Sequence, residues 1–258
     1  MARKPRFEPN GRAAKLFAAL LALFVWQCAA WAIDNRLLLV GPFQVARRLG
    51  ALLGEKTTWQ ALGFTFSRIS LGFCLAFVTA LVLAAVSYRF PLAETLLRPY
   101  ILAIQTVPVA SFIVIALLWL SGKRLSVFMS FLMVLPVLDA NALQGLRAAD
   151  TALLEMARVF RVPLPRQVRC IYLPALAPYL KSASHVALGL CWKAGVAAEV
   201  IAVTGRSVGG MLYEAKVYLE IADLFAWTAM IVAVSVVFEK LFLRALHWAI
   251  QKIIHWGE

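Results

Sequence analysis

The chain of 258 residues is 62% hydrophobic and only 15% charged, with a mean hydropathy of +0.81. A soluble domain is nearer half apolar and a quarter charged, so an ordinary soluble enzyme and a disordered tail are excluded, and a polytopic membrane protein is implied. The excess of 26 Lys and Arg over 13 Asp and Glu fits basic loops at an anionic membrane surface. It does not fit a nucleic-acid-binding domain, because the cations flank apolar runs instead of clustering on one polar unit.

In chain order, an N-terminal segment (1–15) carrying Arg3, Lys4, Arg6, Arg12 and Lys15 precedes the uncharged run Leu16–Ile33. That run is longer than a signal-peptide core and is followed by more membrane, so it is expected to remain as a first span. Within residues 37–54, Leu49, Leu52 and Leu53 beside Arg47 and Arg48 predict a short amphipathic helix that braces the bundle. Apolar runs then follow at 69–88, 99–122, 125–138 (with helical pattern to Gly145), 182–205 and 224–238, the last extending to about Ile250. Since a span needs roughly 20 largely apolar residues, the chain reads as a six-span domain over 16–250, ending in a tail at 251–258.

With the N-terminus inside, the inner connections collect sixteen Lys and Arg and the outer ones eight, which predicts that both termini are cytoplasmic. Trp26, Trp31, Trp59, Trp119 and Trp227 fall near outer span ends, and Trp248 and Trp256 near the inner one, the pattern of an aromatic belt. Cys28, Cys74, Cys170 and Cys191 are scattered, with no CxxC and no histidine at ligand spacing. They are expected to be buried free thiols, and no metal site is expected.

The fourth connection, 147–181, is long for a link between helices, and long structured loops tend to be functional. Asp150 can cap a helix over 151–160, in which Glu155 and Arg158 can pair at i,i+3. Pro163 and Pro165 are expected to stop it. Leu153, Leu154, Met156, Val159 and Phe160 leave apolar surface outside the bilayer, and such a surface needs cover.

Here the residues resemble a known family. Glu155-Met156-Ala157-Arg158, followed by Ile171-Tyr172-Leu173-Pro174, is similar to the cytoplasmic EAA loop of permease subunits of ATP-binding-cassette importers. Thr65 to Phe73 (TFSRISLGF), Gln105-Thr106-Val107-Pro108, Leu118 to Gly122 (LWLSG), Asp139-Ala140-Asn141 with Gly145, and Ala198-Glu199-Val200 with Gly205 agree with it. Their spacing is most similar to the nitrate/sulfonate/taurine branch, which includes permeases for thiamine precursors, and the likeness runs from about Trp59 to Phe242. Met156 stands where the family usually has Ala, and Arg161 where it has Gly, a position at which a left-handed backbone is inexpensive only for glycine. Arg161 must adopt that conformation against its preference or leave termination to Pro163 and Pro165.

The resemblance implies an all-α, MetI-like type I importer permease with a cytoplasmic coupling helix between spans four and five. It implies an ATPase-coupling surface of Leu154, Glu155, Met156, Ala157, Arg158, Phe160 and Arg161. The implied partners are a cytoplasmic ATPase dimer, a second permease copy and an extracytoplasmic solute-binding protein, in the cytoplasmic membrane of a bacterium or archaeon. ATP and Mg are expected on the ATPase, with no cofactor in this chain. No phosphate-binding loop of the G-x-x-x-x-G-K-[ST] kind is present in it.

Four charges fall within spans, where each costs roughly 2.5–3.5 kcal/mol and is by default a functional hypothesis: Arg68, Asp139, Lys193 and Glu199. Lys193 and Glu199 are six residues apart, about 240° around a helix, so they do not pair with each other. Assigned depth suggests Arg68 with Glu199 and Asp139 with Lys193, either as interhelical ion pairs or as lining of a path. The small residues beside Lys193 favour it for the path, where a cation would suit an anion. Two rivals differ in class. An intramembrane serine protease would use Ser207 and His247, but the topology places these at opposite membrane faces. A stand-alone transporter or channel is weakened because no internal repeat is evident.

Overall fold

The computed structural model describes residues 12–33, 35 and 38–255. Arg3, Lys4 and Arg6 of the basic N-terminal segment, Arg36 and Trp256 lie outside the described residues. The described residues form α1 (Arg12–Ile33), α2 (Pro42–Leu53), α3 (Lys56–Arg89), α4 (Pro91–Thr106), α5 (Val109–Ala116), α6 (Gly122–Arg147), α7 (Thr151–Val159), α8 (Leu164–Gln167), a π-helical turn (Val168–Tyr172), α9 (Leu173–Ile201), α10 (Val208–Val217) and α11 (Ile221–His255). No strand occurs among them. α11 runs on through His255, so residues 251–255 continue that helix.

Among the described residues four helices are long and apolar enough to cross a membrane: α1 over Leu16–Ile33, α3, α6, and α11 over Ile221–Ile254. The run at 99–122 is not one straight helix. It breaks between α4 and α5 with a bend of 101°, and the pair makes a fifth candidate if taken as one span. The cause is local: Pro108 disfavours helical backbone at the residue before it, and Val107 is extended at φ −74°, ψ 132°. α9 has 29 residues, ample length, but Lys181, His185, Lys193 and Glu199 lower its hydropathy.

The core is a layer of α3, α6 and α9. Ile69, Phe73, Ala76 and Ala80 of α3 meet Val134, Leu135 and Leu138 of α6, with Ala187, Leu188, Cys191 and Trp192 of α9 between them. Alanines at 76, 80 and 84 follow one α3 face at i,i+4 spacing and are fully buried, so the backbones approach closely. Gly195 makes the same approach on α9, where an added Cβ would lie 2.5 Å from Ser130 Oγ and 2.6 Å from Ile69. The opposite face of α3 exposes Leu71, Leu75, Val78 and Val82, as a lipid-facing stripe does.

α2 braces the bundle as its pattern predicts. Val45 and Leu52 are buried against α11, and Arg48 makes a bidentate pair with Asp223, with Nη2 at 2.7 Å from Oδ2. The Asp223 hydrogen bond holds the guanidinium pKa above its ordinary value. Leu53 remains exposed. Two expectations are corrected. Trp227 is buried with Ala226 and Met230 and is not a belt residue, whereas Trp31, Trp59, Trp119 and Trp248 are exposed. Only Cys191 is a buried thiol. Cys28 is half-buried, and Cys74 and Cys170 are exposed because they fall on the outward faces of their helices.

Candidate functional site

α7 projects from one end of the bundle. Its start is fixed by Asp150, whose Oδ1 accepts a hydrogen bond from Ala152 N at 2.9 Å. Its end is fixed by a Schellman turn, in which Val162 N donates to Ala157 O at 2.9 Å and Arg161 N to Arg158 O at 3.2 Å. Arg161 adopts the left-handed conformation, φ 52°, that the turn requires. Termination therefore does not fall to the prolines. Pro163 and Pro165 instead open the next helix, where a missing N–H costs nothing.

Ala157 is the one buried residue of α7. Leu153, Met156, Val159 and Phe160 are 41%, 50%, 77% and 74% exposed, a bare apolar face. Leu154 is half-buried, while Glu155, Arg158 and Arg161 are exposed. Glu155 and Arg158 form no ion pair among the described residues; both are exposed, and at i,i+3 spacing they lie together along one flank of the apolar patch.

The base of this projection is tied to three other helices. Arg147, the last residue of α6, pairs with Glu94 of α4. Tyr172 OH lies 3.5 Å from Tyr88 OH at the end of α3, with the rings edge to face. Arg169 donates twice to Ile254 O of α11, at 3.2 and 2.9 Å. Gln167 Nε2 donates to Val162 O at 2.7 Å, joining the turn after α7 to the helical rod that begins with α8. From α8 through the π turn into α9 the backbone stays right-handed helical. The π turn lies just ahead of Pro174, where the ordinary i→i−4 ladder lacks a donor.

The four intramembrane charges separate into different settings. Arg68 Nη1 lies 3.7 Å from Glu199 Oε1. Glu199 is fully buried, and its Oε2 accepts from Thr65 Oγ1 at 2.7 Å and from Gly209 N at 3.2 Å. Thr65 Oγ1 in turn accepts from Val208 N at 3.0 Å, so the carboxylate holds the start of α10 against α3 and α9. Gly209 permits this approach, since an added Cβ would collide with the Glu199 side chain.

Asp139 does not meet Lys193. It lines a cavity of about 380 Å³ with Ser87, Glu94, Arg98, Gln144 and Arg147, between α3, α4 and α6. Its Oδ1 has no hydrogen-bond partner among the described residues. Lys193 is exposed in a cleft between α9 and α11. Depth along a span does not fix direction around it, and these two side chains leave their helices toward different neighbours. Ser207 is taken up by structure: its Oγ accepts from Gly210 N at 3.0 Å and donates to Thr204 O at 2.7 Å, capping α10.

Glu94 and Thr65 carry contacts that sequence reasoning did not assign. Glu94 is an acid among the many cations of its end, a sign that it would be paired. Thr65 lies one turn before Arg68, on the same face.

Comparison with known proteins decides the family. Residues 72–254 match the profile of the binding-protein-dependent transport system inner membrane component. The chain belongs to this family. The permease is similar to the taurine transport system permease protein TauC of Escherichia coli (strain K12), 25% identical over 234 residues, covering 88% of this chain and 84% of that one. It is similar also to the transport permease SsuC of Bacillus subtilis (strain 168), 23% identical over 257 residues, 98% and 91% of the two chains. The bicarbonate transport system permease protein CmpB of Synechococcus elongatus is 20% identical over 196 residues, 76% and 70%. The permease is thus a multi-pass membrane transport subunit, and its family consists of permeases, not enzymes.

Proposed function

We propose that the permease forms, with a second permease copy, the translocation path of an ATP-driven importer, and that α7 is its coupling helix. The observation that carries this reading is the form of α7: capped at both ends, bare along an apolar face, and rooted by side-chain contacts to α3, α4 and α11. A rigid rod with such a base transmits displacement into the spans, whereas a loose loop would dissipate it. The exposed Leu153, Met156, Val159 and Phe160 fit a hydrophobic groove on a cytoplasmic ATPase, flanked by Glu155, Arg158 and Arg161 for polar contacts at its rim. ATP and Mg act on that partner.

In this reading the six spans are α1, α3, the bent pair α4–α5, α6, α9 and α11. The α7 end and both termini face the cytoplasm, in agreement with the basic residues gathered there. An extracytoplasmic binding protein delivers cargo to the end formed by α2, α10 and the starts of α3 and α11. By their names, relatives carry taurine, a zwitterionic sulfonate, and bicarbonate, and a small solute of the nitrate, sulfonate or taurine kind, or a thiamine precursor, is the cargo proposed here.

The test is assembly and uptake. The permease, expressed with a cassette ATPase and a solute-binding protein from the same genome, should purify as one complex and accumulate radiolabelled taurine or bicarbonate in an ATP-dependent way. Flux of either solute through the permease alone, with no ATPase bound, contradicts the reading.

A further inference from the structure

The spans α9 and α11 leave between them a cleft of about 540 Å³, closed on one side by Leu212 of α10. Its walls are apolar except for Lys193 of α9 and for Thr228 and Ser235 of α11, whose hydroxyls donate to Leu224 O at 2.7 Å and Val232 O at 2.9 Å on their own helix. Gly189 opens it further, as nothing lies within 4 Å of a Cβ added there. Lys193 is exposed and forms no ion pair among the described residues.

The polarity continues along both helices. Ser182 and His185 lie on the same exposed face of α9 as Gly189 and Lys193, at the helical spacings 3, 4 and 4. His185 Nδ1 lies 2.7 Å from Glu239 Oε1, one turn beyond Ser235 on α11. The face therefore carries a line of polar groups toward the α7 end among exposed Val186, Leu190, Val232 and Val236, whereas the outward stripe of α3 at Leu71, Leu75, Val78 and Val82 is wholly apolar. An unpaired lysine in mid-span is costly against hydrocarbon and is placed where water reaches it. The Lys193 side chain is the unpaired cation at the centre of this line.

We propose that the α9–α11 face forms a wall of the translocation path and that Lys193 is the contact that draws an anion into it. This rests on the importer reading for its direction of transport, while the wall itself is testable without it.

The experiment uses the assembled transporter in native membrane vesicles, with the four native cysteines replaced by serine or alanine. Thr228→Cys and Ser235→Cys are labelled with the anionic sulfonatoethyl and the cationic trimethylammonioethyl methanethiosulfonates, each rate normalised to that with a free thiol. Val78→Cys on α3 is the lipid-facing control. Both α11 cysteines are expected to react, favouring the anionic over the cationic reagent by about tenfold, since one unit charge about 6 Å away in water speeds one reagent and slows the other by about threefold each. Lys193→Gln should abolish that preference and Lys193→Arg should keep it. Labelling no faster than at Val78→Cys in every nucleotide state, as when a second copy or lipid covers the face, overturns the wall. Equal rates with both reagents, unchanged by Lys193→Gln, overturn the role of Lys193. Loss of ATPase from the complex with labelling preserved would instead count against the importer reading alone.

Discussion

The guanidinium of Arg68 and the carboxylate of Glu199 meet at 3.7 Å in the interior of the bundle, yet the acid is held more closely by two other groups, Thr65 Oγ1 and Gly209 N. This hierarchy sets what substitution does. A charge swap, Arg68→Glu with Glu199→Arg, restores the ion pair but leaves Thr65 and Gly209 with no acceptor. The swap is expected to fail. Glu199→Gln keeps one acceptor oxygen and should be milder than Glu199→Ala, which leaves buried donors unsatisfied at about 1–3 kcal/mol each. Thermal unfolding of the detergent-solubilised permease checks the order: wild type, then Gln, then Ala and the swap. Full recovery in the swap would show that the ion pair alone matters.

Gly209 is the second half of the same joint. Gly209→Ala should displace α10 from α9, because the added methyl strikes the Glu199 side chain. The expected result is faster amide exchange over 208–217, with exchange in α6 unchanged. Protection equal to wild type in α10 would contradict the tight approach.

Arg161 holds a left-handed backbone, φ 52°, at the close of α7. That conformation costs a non-glycine residue about 1 kcal/mol. Arg161→Gly should therefore firm the turn and raise the protection of the Val162 amide about fivefold in hydrogen exchange. If Arg161 also touches the ATPase, uptake falls despite the firmer turn, and Arg161→Lys separates the two effects by keeping the charge. A less protected Val162 amide in the glycine variant would show that the arginine side chain itself stabilises the turn.

The pair between Glu94 and Arg147 joins the bent segment α4–α5 to the root of α7. Both side chains are partly exposed, at 30% and 52%, so the pair contributes under about 1 kcal/mol to stability. Its expected role is transmission. Glu94→Arg should leave the melting temperature nearly unchanged while lowering solute moved per ATP hydrolysed, and Glu94→Arg with Arg147→Glu should recover it. A normal ratio in the single variant removes the pair from the coupling route.

Much of this architecture is legible in the sequence because lipid imposes a simple rule: an unbroken apolar run must be a helix of spanning length. The runs behind α1, α3, α6 and α11 obey it. The bend at Val107–Pro108 was not read: Pro108 constrains the residue before it, but uniform apolar composition across 99–122 hides a turn that hydropathy does not register. The cap at Asp150 is local and could be read directly. The Glu199 joint could be read only in part: the match with Arg68 follows from depth, whereas acceptance from Gly209 N depends on how the chain returns after α9. Asp139 and Lys193 show the limit, because equal depth does not make two side chains face each other. The positions of Glu94, Tyr88 and Ile254 under α7 follow from tertiary packing.

The central claim is that α7 seats on the ATPase, and a cysteine at its bare tip tests it most directly. In vesicles containing the whole transporter, Phe160→Cys in a cysteine-free permease should be joined by a short bis-maleimide to a cysteine at the ATPase surface, giving one band of combined mass whose yield changes with nucleotide. A Phe160→Cys thiol that reacts freely with soluble maleimide in every nucleotide state and never joins the ATPase would contradict it.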